Sequence, residues 1–316
     1  MRVLVTGGAG FIGSHLTDAF LAGGAGVAVA DDFSAGRPDR LDERADTFKV
    51  NIADAAALAT VVQQARPELI CHLAAQIDVR VSVAAPALDA GTNVVGTVNI
   101  LDAARSVGAR VLFASSGGAI YGRDAPLPTP EDVPPLPESP YGVAKYCAEQ
   151  YIGLYNRLHH TRHSVLRLAN VYGPRQDPSG EAGVIAVFCR AALTGQPPTI
   201  YGDGTQTRDY VYVGDVVRAF LAAAAQPRAG LWNIGTGREV SVLDLAQIIA
   251  DTAGRAVPPR FSPPRAGELQ RSVLAADRAA EDLGWQAETT LADGIAAVCG
   301  WIGAGAPARA SCLGPR

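Results

Sequence analysis

Tyr141 and Lys145 stand four residues apart in the stretch SPYGVAKYCAEQY, at the head of a segment with helical spacing. Positions i and i+4 lie one above the other on a helix face, so this spacing would set a phenol beside an ammonium. A tyrosine in water ionises near pH ~10. A neighbouring cation favours the phenolate, which would let Tyr141 accept a proton closer to neutrality. A core tyrosine beside a solvated lysine has the same spacing, so the pair alone leaves both readings open.

The elements around the pair decide between them. Residues 2–5 read as an apolar strand, TGGAGFIG as a glycine turn and SHLTDAFLAG as a helix. Gly7, Gly10 and Gly13 fall in the pattern G-x-x-G-x-x-G, a variant of the dinucleotide fingerprint. Such a turn must be tight, let backbone approach a pyrophosphate, pack helix on strand, and aim a helix N-terminus at the negative charge. The next strand, GVAVADDF, ends in Asp31 and Asp32, about 20 residues on, where an acidic side chain can accept hydrogen bonds from a ribose diol. A carboxylate there would repel a 2′-phosphate, so NAD is expected rather than NADP. The plainer reading is an ordinary strand-to-helix turn followed by a solvated Asp31. The two features together favour the dinucleotide.

Alternation continues through FKVNIAD, ADAAALATVVQQA, LICHLAAQ, NVVGTVNILDAARSVG and ARVLFASS. Strands alternating with helices predict an α/β fold with a Rossmann-like, doubly wound parallel sheet, and apolar strands such as ELICHLAA suit a sheet covered on both faces. Ligands of such sheets bind beyond the carboxyl ends of the strands, so Asn51, Ala74, Ser115 and Ser116 are expected to face one crevice. Asn93 opens a predicted helix, where it either caps the helix or contacts the cofactor. After SVLRLANVYG the rhythm weakens, and proline-bearing loops mix with short strands and helices. The expected division is a NAD-binding domain over residues 1–172, with about 209–239 returning to it, and a smaller mixed α/β substrate domain over about 173–208 and 240–302. Residues 303–316 lack periodicity and read as a disordered tail.

The bulk numbers exclude other classes. A chain of 316 residues can bury a substantial core. A formal charge of −4 without a basic run argues against nucleic-acid binding. An anionic ligand must then be held by placed arginines and backbone amides. No apolar run approaches the ~18 residues that span a membrane. Five scattered cysteines without a CxxC indicate neither a zinc site nor a disulfide framework. We therefore expect an untargeted, soluble, cytoplasmic protein. His159, His160 and His163 in HHTRHS read as a polar helix end rather than a metal site.

Taken together, these motifs resemble the extended short-chain dehydrogenase/reductases, and among them the NAD-dependent nucleotide-sugar epimerases of the UDP-glucose 4-epimerase type. The resemblance runs from VTGGAGFIGSHL through HLAAQ, NVVGTVNIL, SSGGAIYG, SPYGVAK, LRLANVYGPRQ, TIYGDGTQTRDYVYVGDV and NIGTG to PPRAGE. It implies that Gly7, Gly10, Phe11, Ile12 and Gly13 form the pyrophosphate loop, that Asp31 and Asp32 lie at the adenosine ribose, and that Ser34 to Gly36 form the turn beside it. Asn51 and Ile52 would meet the adenine, with asparagine where the family more often has aspartate. Leu73, Ala74, Ala75, Asn93 and Ser115 would line the cofactor. Tyr141 and Lys145 match the catalytic pair, and Lys145 also reaches the nicotinamide ribose. The third catalytic hydroxyl is expected at Ser116, with Ser115 as fallback. On the substrate side the resemblance places Ser116, Tyr141, Asn170, Gly183, Val184, Tyr201, Arg208, Tyr210, Arg265 and Glu268. A dianionic diphosphate in an acidic protein needs guanidinium groups against it, which suits Arg208 and Arg265, although a surface ion pair is the alternative for each. Leu168 stands where hexose epimerases often have tyrosine.

The family also contains dehydratases and decarboxylases, so fold leaves the reaction open. Family dehydratases carry an acid and a base after the catalytic hydroxyl, and decarboxylases a glutamate; this chain has Gly117, Gly118 and Ala119. Epimerisation at carbon 4 is therefore expected, with UDP-glucose/UDP-galactose as the default pair. UDP-glucuronate is the rival, since Arg175 or Arg80 could face a carboxylate, with Arg175 otherwise a surface or interface residue. N-acetylated sugars also fit an open 117–119 stretch, and a non-catalytic NAD-binding regulator is the reading from another class. By analogy the helices near 92–106 and 141–158 would pair two copies into a homodimer.

Overall fold

The computed structural model describes residues 1–178, 183–264 and 269–306. In chain order the first elements are β1 (Arg2–Thr6), α1 (Phe11–Ala22), β2 (Gly26–Asp31), β3 (Asp46–Lys49), α2 (Ala55–Ala65) and β4 (Leu69–His72). Then come α3 (Val79–Ala84), α4 (Pro86–Ala90), a π-helical turn (Gly91–Val95), α5 (Gly96–Val107), β5 (Arg110–Ser116), α6 (Gly117–Ile120) and α7 (Pro140–His159). The chain continues with β6 (Ser164–Leu168), β7 (Asn170–Tyr172), α8 (Val184–Thr194), β8 (Thr199–Tyr201), β9 (Thr207–Arg208), β10 (Tyr210–Tyr212) and α9 (Val213–Ala225). It ends with β11 (Leu231–Ile234), β12 (Val240–Ser241), α10 (Val242–Ala253), β13 (Arg260–Ser262), β14 (Arg271–Ser272), α11 (Asp277–Leu283) and α12 (Leu291–Gly303).

These elements form two compact units: residues 1–122, 134–167 and 219–232 in the first, and the remainder in the second. The first carries a seven-stranded sheet in the order β11-β6-β5-β4-β1-β2-β3, parallel in each pair from β3 to β5. This is the doubly wound α/β architecture. Val3, Leu4 and Val5 in succession are buried, as a strand covered on both faces requires. On one face Leu4, Ile70 and Phe113 pack with Leu58, Ile100, Leu101 and Ile152 from α2, α5 and α7.

In the second unit β7 pairs with β10, β9 lies between β12 and β14, and β13 pairs with β8. The unit boundaries differ from the expected ones. Residues 209–218 cluster with the second unit because β10 pairs in register with β7, and the Asp209 carboxylate accepts hydrogen bonds from Thr236, Gly237 and Leu274. The run SVLRLANVYG is not one strand: it leaves the large sheet after Leu168, and Asn170 to Tyr172 join β10. The segment from 303 includes the end of α12, and its residues 307–316 lie outside the described residues, as do Arg265 and Glu268.

Candidate active site

The N-terminus of α7 positions the chemical pair. Ser139 caps the helix, accepting from the Gly142 amide at 3.1 Å, and Pro140 takes the first helical position. Tyr141 therefore lies in the first turn and Lys145 one turn below. A side chain at Gly142 would strike the Ala119 carbonyl, so glycine lets α7 close onto α6 and the end of β5. There Ser116 and Tyr141 share a side-chain hydrogen bond. Lys145 Nζ donates to the Ala114 carbonyl at 3.0 Å, 4.7 Å from the Phe113 ring centroid and 5.9 Å from that of Tyr141.

Burial dominates the electrostatics of the pair. It pushes the Tyr141 phenol up to about 12, with the Ser116 hydrogen bond pulling down and Asp89 adding to the rise. It pushes Lys145 down to about 8, against the upward pull of Asp89 and Glu149. At neutral pH the resting pair is thus phenol and ammonium, not the ready phenolate that spacing alone implies. Desolvation penalises the charged form of both groups more than their neighbours favour it.

Ser115 does not face the crevice. Successive side chains of a strand point to opposite faces, and Ser115 Oγ donates to Glu149 Oε1 at 2.5 Å, inside the protein. Arg167 grips the same carboxylate, Nε at 3.0 Å from Oε1 and Nη2 at 2.6 Å from Oε2, while its Nη1 donates to Tyr121 Oη at 2.6 Å. Both ends of this ion pair are buried.

The glycine loop fits a dinucleotide. Gly7 sits at φ 68°, where an added Cβ would lie 2.7 Å from the Ala74 amide nitrogen, and a Cβ on Gly13 would strike the Gly7 carbonyl. Helix α1 begins at Phe11 after Gly10 with neither a side-chain cap nor an acidic residue in its first turn. The amides of Phe11, Ile12 and Gly13 are therefore first-turn donors suited to an anion. Asp31 accepts from the amides of Ala9 and Phe33, both at 2.9 Å, leaving each carboxylate oxygen a second lone pair for a diol. Burial raises its pKa, and those two amides oppose the rise. A Cβ on Gly36 would press 2.7 Å from Asp31 Oδ1, so glycine keeps that turn against the carboxylate. Asp32 holds Ser34 through its amide and hydroxyl and takes a 3.4 Å contact from Asn51 Nδ2. Ile52 is buried, packed where a Cβ on Gly96 would collide with it.

Asn93 is not a cap. It lies within the π-helical turn that joins α4 to α5. Its Oδ1 accepts from the Gln76 amide at 2.9 Å, and its Nδ2 donates to the Gln76 carbonyl and to Asp89 Oδ1. The two bonds to Gln76 pin the loop after β4. A second chain of bonds holds the start of that loop: the Leu73 and Ala74 amides reach Thr6 Oγ1 at 3.2 and 3.3 Å, and Thr6 Oγ1 lies 2.7 Å from His72 Nδ1. Thr97 donates to the Asn93 carbonyl, so the His72 proton belongs on Nε2, facing Thr97 Oγ1 at 3.1 Å. Burial, followed by Lys145, depresses His72 to about 3, keeping it neutral.

In the second unit Asn170 and Tyr210 are register partners on β7 and β10, with the Asn170 side chain exposed and Tyr210 buried. Arg208 pairs across β9 with Val240 and Ser272. Gly183 precedes α8 and Val184 begins it. Tyr201 lines a pocket with Gln206, Phe261 and Gln270, residues that motif spacing did not single out. Two arginines differ from expectation. Arg80 forks onto Asp78 at 3.2 and 2.7 Å on the surface. Arg175, expected to face a uronate carboxylate or otherwise to lie at the surface or an interface, is 1% exposed and takes a left-handed backbone conformation at φ 68°. His163 is also internal: Nδ1 accepts from the Val111 amide at 3.0 Å, and the ring is not part of a polar helix end. The residues that motifs missed are Asp89, Gln76 and Thr6 under the loop, and Glu149 with Arg167. Asp89 and Glu149 carried a signal, each standing four residues from a recognised position at helical spacing.

Compared with known proteins, residues 3–235 match the model of the NAD dependent epimerase/dehydratase family. A UDP-glucose 4-epimerase from Mycolicibacterium smegmatis is 50% identical over 94% of this chain and 96% of its own length. The crystal structure of a UDP-glucose 4-epimerase from Thermotoga maritima with UDP-glucose is 43% identical and superposes with TM-score 0.95, covering 96% of this chain and 99% of that one. A UDP-glucose 4-epimerase from Thermus thermophilus in complex with NAD is 40% identical, with TM-score 0.89 over 95% and 98% of the two chains.

Proposed function

The chain belongs to the NAD-dependent epimerase/dehydratase family, and from that membership we propose that it is a UDP-glucose 4-epimerase, interconverting UDP-glucose and UDP-galactose with NAD as cofactor. The observation that carries the reading is the Ser116–Tyr141 hydrogen bond, with Lys145 one turn below and Gly117, Gly118 and Ala119 following the serine. These groups can move one proton at a hydroxyl, and the three small residues offer no acid or base for elimination.

We assign NAD to the first unit: the first-turn amides of α1 to its pyrophosphate, Asp31 and Asp32 to its ribose, and Lys145 to its nicotinamide ribose. When bound, NAD supplies a reversible hydride acceptor for carbon 4 of the sugar. Tyr141 first loses its own proton to solvent; the phenolate, to which Ser116 donates a hydrogen bond, then takes the proton of the 4′-hydroxyl, directly or through Ser116, and becomes the phenol again. Lys145, an ammonium below its pKa of about 8, stabilises that phenolate. Tyr141 then returns the proton after the 4-keto sugar has turned over, and Gly117 and Gly118 leave room for the rotation. We assign the uridine diphosphate to Asn170, Gly183, Val184, Tyr201, Arg208 and Tyr210, with Arg265 and Glu268.

The neutral hexose is preferred over the uronate because relatives that match most of the chain are UDP-glucose 4-epimerases, while Arg80 pairs with Asp78 at the surface and Arg175 is buried. No helix among the described residues is long and apolar enough to cross a membrane. Four described cysteines are free, which accords with a cytoplasmic location. Exposed Leu88, Val95, Leu154 and Leu158 on α4, the π turn and α7 support a homodimer. The test is to incubate the purified protein with UDP-glucose and with UDP-galactose and follow the epimer by chromatography. Appearance of the other sugar from either side is expected. Retained NAD with no product from any UDP-sugar would instead favour the regulator.

A further inference from the structure

Asp89 is a buried carboxylate, 1% exposed, to which the reaction as described gives no part. Its Oδ1 accepts from Gln76 Nε2 at 2.8 Å and Asn93 Nδ2 at 3.0 Å. Its Oδ2 is buried and receives no donor. A desolvated carboxylate oxygen in that condition is unfavourable unless a cation compensates it. The ionisable groups on the elements packed around it are Tyr141, Lys145, Tyr146, Cys147, Glu149, Tyr151 and Tyr155 on α7, with Arg157 and His159 in its last turn, Asp78 and Arg80 at α3, Asp102 and Arg105 on α5 and neutral His72 on β4. Arg80 is bound to Asp78, Arg167 to Glu149, and Asp102 accepts from Tyr155. Arg105 lies 3.8 Å from Asp102 and Arg157 stands in the last turn of α7, which leaves Lys145 as the cation near the start of that helix. Its ammonium has three donors, of which one reaches the Ala114 carbonyl. Asp89 acts electrostatically on both Lys145 and Tyr141.

We propose that Asp89 is a positioning residue for proton transfer: its Oδ2 is the counter-charge that holds Lys145 as an ammonium beside Tyr141, while its Oδ1 ties α4 to the π-helical turn and to the loop after β4. The catalytic consequence rests on the epimerase reading; the electrostatic one does not. Glu149 serves Lys145 less, because its charge is matched by Arg167.

The chain contains two lysines, exposed Lys49 and buried Lys145, so lysine labelled with ¹³C at Cε gives one site signal and one internal control. The two signals are titrated in the full chain, in the wild type and in Asp89→Asn, and assigned with Lys49→Arg. Removing a negative charge near an ammonium disfavours its protonated form. The Lys145 transition is therefore expected to fall by about one pH unit, with Lys49 unmoved. Asp89→Ser, which keeps an acceptor for Gln76 and Asn93 without the charge, should show the same fall, and Asp89→Glu should largely restore the wild-type transition. In turnover, both limbs of the kcat profile should move to lower pH in Asp89→Asn, with KM for UDP-glucose within about twofold of wild type. A Lys145 transition unchanged in natively folded Asp89→Asn or Asp89→Ser overturns the proposal, as does a uniform loss of kcat without movement of either limb. Absence of epimerisation by the wild type defeats the epimerase reading, and the lysine titration still decides the role of Asp89.

Discussion

Two buried ionic groupings lie one turn apart on α7, and their hydrogen bonds differ. Glu149 is gripped by two nitrogens of Arg167 and by the Ser115 hydroxyl, and Arg167 continues to Tyr121. Lys145 donates one hydrogen bond, to a carbonyl, and Tyr141 shares one with Ser116. A saturated ion pair is locked in one protonation state, since changing it would strand the partner charge in the interior. In the sparsely bonded pair burial brings Lys145 down to about 8, close to neutral pH, while it raises Tyr141 to about 12. The same helix thus carries a structural clamp and a titrating site, and hydrogen-bond saturation separates them.

That contrast can be broken from either side. Tyr141→Phe removes the proton acceptor and should lower kcat by about 10²–10⁴-fold while circular dichroism and melting temperature stay near wild type; near-normal turnover would end the proposed mechanism. Arg167→Ala strands Glu149 and should destabilise the fold by about 3–5 kcal/mol, read by urea unfolding. The double replacement Glu149→Gln with Arg167→Met should recover much of that loss. Ser116→Ala removes the hydrogen bond that lowers the Tyr141 pKa, so the phenolate becomes harder to reach. The acidic limb of kcat should shift to higher pH, with a loss of about 10–100-fold, on the order of 1.4–2.8 kcal/mol. Ser115→Ala should be the mirror image, losing about 1–2 kcal/mol of stability as a hydrogen bond to a charged group is removed, with kcat within about threefold of wild type. If Ser115→Ala abolished turnover and Ser116→Ala did not, the two serines would have to exchange roles.

The alternation of strands and helices, the glycine turn, Asp31 and the Tyr141–Lys145 pair are all visible in one dimension. Each depends on neighbours within a few residues: a helix period, a strand period, or the backbone freedom of glycine. Which serine meets Tyr141 is not visible this way. Ser115 and Ser116 are adjacent and chemically alike, and only the residue of α7 that each one meets distinguishes them: Glu149 for one, Tyr141 for the other. Asn93 reads equally well as a cap because its role depends on Gln76, 17 residues away. Arg175 reads as exposed because a left-handed turn and the packing around it leave no periodic trace.

By itself, then, the sequence determined the architecture, the cofactor class and the juxtaposition of Tyr141 and Lys145, since these follow from local periodicity and residue chemistry. Only the tertiary structure decided which charges are matched and which are left to titrate. Glu149 meets Arg167 across 18 residues, and Asp89 keeps one oxygen without a donor. Desolvation depends on everything packed around a group, and no spacing along the chain records that.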